Sequence, residues 1–179
     1  MALEPFFARG VPLVGLEPSC LFSFRDEALA MLPGEASQRA ATHALLFEEF
    51  IAREAKAGRF KPSLKPATQK VLLHGHCHQK AFGALGAVEQ ALKLIPDLKL
   101  EKIESSCCGM AGAFGYQVET AEVSRAMGEL SLLPAARAAD ADTVLVADGT
   151  SCRHQIEQGA GKQAVHVASL LAAHLQDVI

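Results

Sequence analysis

The chain has 179 residues, half of them apolar, with a net charge of −3 at neutral pH and seven histidines. That is enough for one well-filled domain and too little for two full ones, and it leaves no electrostatic case for a nucleic-acid partner or an anionic membrane surface. No apolar run reaches the length of a membrane span, no signal-peptide pattern opens the chain, and the lack of Trp and single Tyr argue against a stacking platform for carbohydrate or single-stranded nucleic acid.

In chain order, residues 3–8 read as the end of a helix broken by Arg9-Gly10, and residues 11–16 as a short apolar strand of the buried type. So abrupt an opening is expected of a chain that continues upstream in its natural protein. The turn Glu17-Pro18-Ser19 leads into a helical pattern over 21–32 closed by Pro33-Gly34, with Ser19 as N-cap and Cys20 in the first turn. Residues 36–57 read as one long helix with an apolar stripe at Ala41, Leu45, Leu46 and Phe50, and 58–69, with Pro62 and Pro66, as a loop. A second strand over 70–76 runs into Cys77. A helix follows over 81–94, then an alternating strand over 98–103 that delivers Cys107 and Cys108. Helices over 119–133 and 134–139 precede a fourth strand over 142–147, which ends in Asp148-Gly149-Thr150-Ser151-Cys152. A helix from Arg153, a short strand over 164–167 and a helix over 168–176 complete the pattern.

Strands separated by helices define an α/β layered fold: a parallel sheet of about four strands with helices on both faces, Rossmann-like in architecture. Ligands of such sheets bind beyond the C-terminal ends of the strands. Cys20, Cys77, Cys107, Cys108 and Cys152 all fall there, so five residues distant in sequence are expected to converge on one rim. Residues 12–20 also align without gaps on residues 144–152, repeating a strand, a turn, Ser-Cys and a helix. This reads as a duplicated unit. Residues 1–69 are then the remnant of a first copy plus a connecting helix, and 70–179 a complete second copy, packed together as one globular domain.

Five cysteines, an odd number at irregular spacing, do not make a secreted disulfide framework. Ligation or redox chemistry in a reducing compartment fits them, so a cytoplasmic or membrane-peripheral location is expected. The vicinal Cys107-Cys108 pair cannot close a disulfide without strain and suits a turn that faces a ligand. Cys20 and Cys152 each follow a serine at a helix start, where the dipole and free N–H groups favour the thiolate that binds metal. One such cysteine alone merely packs; two matched ones, with Cys77 and the pair, point to ligation.

In His74-Gly75-His76-Cys77-His78-Gln79, strand alternation sets the three histidines on one side and Cys77 on the other. One of them is expected to hydrogen-bond a sulfur or tune its potential, rather than all three to ligate. His76, His78 and His154 are thus outer partners or alternative ligands, whereas His43, His166 and His174 fall away from the rim and receive no role. Gly109, Gly112 and Gly115 match neither a Rossmann nor a Walker spacing. Glycine there lets the backbone pass close to a bulky inorganic ligand and aim N–H groups at its sulfurs. No Ser-His-Asp set or carboxylate pair stands out, and no residue is assigned as catalytic.

The strings Glu17-Pro18-Ser19-Cys20, His76-Cys77-His78-Gln79-Lys80, Cys107-Cys108-Gly109-Met110-Ala111-Gly112 and Ser151-Cys152-Arg153-His154-Gln155 resemble the cysteine-rich CCG domain. That domain occurs in heterodisulfide reductase, in the iron–sulfur subunit of glycolate oxidase and in the C-terminal part of FAD-linked oxidases acting on D-2-hydroxy acids. The resemblance covers most of the chain and is nearest to the last branch. It implies an iron–sulfur cluster, 4Fe–4S or non-cubane, held by Cys20, Cys77, Cys108 and Cys152 with Cys107 as alternative or bridge, in a loop cradled by Gly109 and Gly112. It further implies an electron-transfer role beside an FAD-binding domain or subunit of the same enzyme, a quinone or another carrier as acceptor, and no turnover by this chain alone. The alternatives are a structural zinc module built on the same thiolates, and a thiol–disulfide redox enzyme using Cys107 or Cys108.

Overall fold

The computed structural model of the chain describes residues 2–176. Its strands lie in two parallel sheets. In the N-terminal part, β1 (Leu13–Gly15) pairs with β2 (Ala44–Leu46). The main sheet holds β3 (Lys70–Leu73), β4 (Lys99–Lys102), β5 (Val144–Val146) and β6 (Ala164–Val165) in the order β4-β3-β5-β6, every neighbour parallel. This is the expected α/β architecture, with four strands in the principal sheet.

Alternation along the strands builds a core on each face of the main sheet. Val71 and Leu73 of β3 lie with Val144 and Val146 of β5 on one side, against α5 (Phe47–Lys56), α7 (Leu85–Leu92) and α11 (Val167–His174). Leu72 and Leu145 face the other side, against Leu132 and Ala136 of α9 (Leu132–Ala138) and Ile156 of α10 (Thr150–Ala160). The remaining helices are α1 (Glu4–Phe7), α2 (Pro18–Phe22), α3 (Glu27–Met31), α4 (Glu35–His43), α6 (Cys77–Ala81) and α8 (Ala121–Glu129). A smaller core of Leu21, Phe22, Ala44 and Leu46 closes around the two-stranded sheet.

Several element boundaries differ from the sequence expectation. The long helix over 36–57 is interrupted by β2, because β1 needs a partner and residues 44–46 supply it. Arg25 fixes the break: its guanidinium donates to Ala44 O and to both carboxylate oxygens of Glu49 (3.0 and 2.6 Å), while Glu49 accepts the Leu46 N–H at 2.9 Å and so caps α5. An apolar stripe alone cannot reveal that break, since a buried three-residue strand adds apolar residues without changing the helical period on either side. The helix over 21–32 is likewise split into α2 and α3, and that over 81–94 is realised as α7, preceded by a separate short helix, α6, that starts at Cys77.

Two contacts lock the N-terminal part onto the main sheet. Phe22, fully buried, stacks on Phe82 with ring centroids 4.5 Å apart and planes within 5°. Glu17, just before α2, accepts hydrogen bonds from the Thr150 N–H and hydroxyl, both at 2.8 Å, across 133 residues of chain. Glu17 therefore caps α10 from outside it. Neither Ser19 nor Ser151 is the cap expected of it: Ser19 donates to Glu17 Oε1 at 3.0 Å, and Gly149 precedes α10 without a side-chain cap.

Candidate metal centre

Each strand of the main sheet ends by turning its next residues onto the same rim. β3 is followed by His74-Gly75-His76 and then Cys77 as the first residue of α6. β4 leads to Cys107-Cys108, and β5 to Asp148-Gly149 and the first turn of α10, which carries Cys152. Four thiols from three strand ends meet there. Cys77 neighbours Cys107, Cys107 neighbours Cys108, and Cys108 neighbours Cys152, near enough that each shifts the titration of the next. Cys108 and Cys152 are buried, Cys77 and Cys107 half-buried.

The electrostatics follow from who donates to whom. Hydrogen bonds from Cys108 and then Cys77 hold the Cys107 thiolate far below the ordinary thiol range, and backbone N–H groups of Gly109 and Ala111 add to this; the Gly109 N–H lies 3.3 Å from Cys107 Sγ. Cys152 is brought down to about 5, chiefly by its bond from Cys108, with His74 contributing. The donors move the other way: Cys108 is raised by its bonds to Cys107 and Cys152, and Cys77 by its bond to Cys107. Protons held along this row of sulfurs are what a bound metal ion displaces.

His74 is 1 % exposed, its Nε2 has no hydrogen-bond partner, and a ring nitrogen lies within 4.8 Å of the sulfurs of both Cys108 and Cys152. Four sulfurs and a stranded buried imidazole nitrogen form a donor set that fits a soft or borderline metal or an iron–sulfur cluster. Strand alternation predicts the three neighbouring histidines together on one side. β3 stops at Leu73, however, and the turn that follows sends His74 inward to the Cys108–Cys152 pair. His76 and His78 instead flank Cys77, with Nδ1 atoms 3.9 and 3.8 Å from its sulfur. His76 is lowered by burial, and its Nδ1 accepts the His78 N–H at 3.2 Å.

The other expected site residues fall as follows. Cys20, on α2, is exposed and belongs to none of the ligand groups among the described residues. His154 is exposed and pairs with the Tyr116 hydroxyl at 2.5 Å. Gly109, with φ of 94°, carries the turn out of the cysteine pair, and a Cβ there would lie 2.1 Å from Ser124 O. Gly112 turns with φ of 65° in open space. Gly149, outside the expected set, also makes a close approach: a Cβ would meet the His76 ring at 2.4 Å and Cys152 Sγ at 3.2 Å.

A frame of polar side chains holds the rim. Lys80 Nζ donates to the carbonyls of Ser105 and Ser106, pinning the segment before Cys107. Gln79 accepts the His76 N–H at 3.0 Å and donates to Asp148 Oδ2 at 2.7 Å, joining the start of α6 to the β5 turn. Gln155 donates to Cys108 O at 2.9 Å and Ser124 O at 3.0 Å. His166, given no role from sequence, stands at the rim because β6 is only two residues long: its Nε2 pairs with Leu16 O at 2.8 Å and its Nδ1 accepts the Ala168 N–H at 2.9 Å. Beside it, 3.7 Å from its Nε2, Glu48 is fully buried with neither carboxylate oxygen hydrogen-bonded, and burial together with the Asp148 charge raises its pKa to about 9. The His76-Cys77-His78-Gln79-Lys80 string carried Gln79 and Lys80 in plain sight, but their partners lie 25 to 69 residues away.

The comparisons agree with an oxidoreductase context. The chain is similar to a subunit of the anaerobic glycerol-3-phosphate dehydrogenase of Escherichia coli K12, 32% identical over 172 residues, covering 96% of this chain and 42% of that subunit. It is also similar to D-2-hydroxyglutarate dehydrogenase of Escherichia coli K12, 30% identical over 163 residues (90% of this chain, 15% of that protein), and of Haemophilus influenzae, 31% identical over 157 residues (83% and 15%). The chain thus spans less than half the length of these curated relatives, and corresponds to a part of larger dehydrogenases. No protein-family model matches it, and no solved structure does. Among the described residues no helix is long and apolar enough to cross a membrane.

Proposed function

We propose that this chain is an iron–sulfur electron-transfer region of the CCG type within a flavin-dependent dehydrogenase acting on a D-2-hydroxy acid or a related hydroxylated substrate. The observation that carries the reading is the meeting of Cys77, Cys107, Cys108 and Cys152 from three strand ends on one rim. The similarity to parts of two kinds of dehydrogenase supports it. A cluster bound there supplies one-electron storage between a two-electron flavin and an acceptor. The FAD belongs to another domain or subunit, and the acceptor is a quinone or another carrier. The chain's own residues do the rest: burial of Cys108 and Cys152 keeps water from the sulfurs, the Gly109 N–H stabilises charge on Cys107, and Lys80 and Gln79 hold the ligand-bearing turns in register. Within this reading, residues 1–69 with the β1–β2 sheet are the remnant of a first unit plus a connecting helix, and 70–179 with the main sheet are the complete second unit, packed together as one domain.

Iron and acid-labile sulfide analysis of anaerobically purified, reconstituted protein tests this. Iron and sulfide in matching amounts, with a broad visible absorption bleached by dithionite, are expected; a colourless, iron-free chain overturns it. A second reading, a zinc site on the same ligands, is favoured by the imidazole nitrogen among the sulfurs. It predicts zinc and no visible band.

A further inference from the structure

We infer that His74 is a metal ligand through Nε2, so that the centre is a mixed thiolate–imidazole site and not the all-cysteine site that would enlist Cys20. The inference rests on the rim being a metal centre, whichever metal it holds.

A buried ring nitrogen with no partner loses about 1 to 3 kcal/mol of hydration. His74 Nε2 is such an atom. The opposite nitrogen is engaged: His74 Nδ1 lies 2.8 Å from Ser105 Oγ, which in turn reaches Ile103 O at 3.5 Å. In the tautomer in which Nδ1–H donates to the hydroxyl and the hydroxyl to the carbonyl, the lone pair lies on Nε2. A ligating histidine needs that tautomer, and a hydrogen bond on its far nitrogen is what fixes it. Two buried sulfurs, Cys108 and Cys152, lie within 4.8 Å of the ring.

His76, His154 and His166 are not set up this way, and His78 is half-buried with its Nδ1 directed to Cys77 Sγ at 3.8 Å. His76 and His166 each use Nδ1 to accept a backbone N–H, which puts their protons on Nε2; His166 spends that proton on Leu16 O. The Nδ1 of His154 pairs with Tyr116 at the surface. Exposed Cys20 offers no competing thiolate. Replacing one thiolate by a neutral imidazole makes the site one charge less negative, and in an iron–sulfur centre that raises the reduction potential. Ser105 becomes a positioning residue: it aims the ring and fixes its tautomer.

The test uses cobalt(II) added anaerobically to the reduced, metal-free chain and to His74→Ala and His74→Cys, each checked by circular dichroism. The wild type is expected to show thiolate-to-cobalt charge transfer and, by NMR, a paramagnetically shifted N–H resonance that disappears in heavy water, the signature of an imidazole bound through its other nitrogen. His74→Ala should lose that resonance and about 10- to 100-fold in affinity. His74→Cys should keep the stoichiometry, lose the resonance and gain charge-transfer intensity from an added thiolate. Absence of the shifted resonance in the wild type, equal affinity in His74→Ala, or no cobalt binding at all overturns the inference. The wild-type resonance needs no variant to fold. A chain that binds cobalt through His74 yet assembles no iron and sulfide upholds this ligand and defeats the electron-transfer reading.

Discussion

The chain contains the same local grammar twice, and the two copies end differently. Cys20 and Cys152 are each the third residue of a helix that follows a parallel strand. Cys152 is buried, in contact with Cys108, and drawn down to about 5. Cys20 is exposed and lies beside an apolar hollow lined by Leu13, Leu16, Leu21 and Phe24. Sequence position is shared; surroundings are not. What differs is the neighbouring strand ends. β5 stands next to β3, which in turn stands next to β4, so Cys152 meets three other thiols and a histidine, whereas β1 has only β2 beside it, and the segment after β2 enters α5 without a cysteine. A thiol becomes a candidate ligand through what the adjacent strands deliver.

The strongest way to break this contrast is at the sulfurs. Cys152→Ser should lower metal affinity by more than about 100-fold, measured as metal retained after gel filtration against a chelator. The next effect tests the buried acid beside His166 and Asp148. Glu48 keeps its proton in the folded chain up to about pH 9 but ionises near 4.5 when unfolded. Its contribution to stability is therefore complete below pH 4.5 and is lost as pH rises through about 9. Glu48→Gln, which cannot ionise, should match the wild type near pH 4 and exceed it by about 3 kcal/mol at pH 7, at about 1.4 kcal/mol per pH unit; urea unfolding at the two pH values checks this. Equal differences at both would show that Glu48 is not held neutral.

A smaller effect is expected where Glu17, ahead of α2, caps α10. Glu17→Ala removes the acceptor for the Thr150 N–H and should cost about 1 to 2 kcal/mol, with protection of the first amides of α10 falling in hydrogen exchange. Smallest is Cys20→Ser. Metal content and unfolding midpoint should stay as in the wild type, and the metal-loaded chain, whose other thiols are engaged, should lose its exposed alkylatable thiol. Loss of metal in that variant would place Cys20 in the centre after all and erase the contrast.

The α/β class, the main-sheet strands and the common rim were readable because apolar alternation in β3 and β5 is strong and because parallel strands send their C-terminal ends one way. β2 was not readable, since three apolar residues between two helical stretches look like more helix until β1 is seen to need a partner. His74 was visible as a residue but not as a neighbour of Cys108 and Cys152. Extrapolating strand alternation past Leu73 assigned it to the wrong company, and only the turn at Gly75 reveals its direction. Glu48 and His166 carried no motif at all; their significance lies in each being enclosed with Asp148, a tertiary fact.

The cap that Glu17 places on α10 has a bearing on synthesis. Its two partners leave the ribosome 133 residues apart, and Cys152 emerges roughly 75 positions after Cys77. At typical elongation speeds of about 5 to 20 residues per second, Cys77 waits on the order of 4 to 15 seconds for Cys152, and the Cys107-Cys108 pair about 2 to 9 seconds. A centre that uses all four thiols therefore cannot be completed until Cys152 has been made, and a nascent chain stalled before Cys152 would display Cys77, Cys107 and Cys108 open to oxidants.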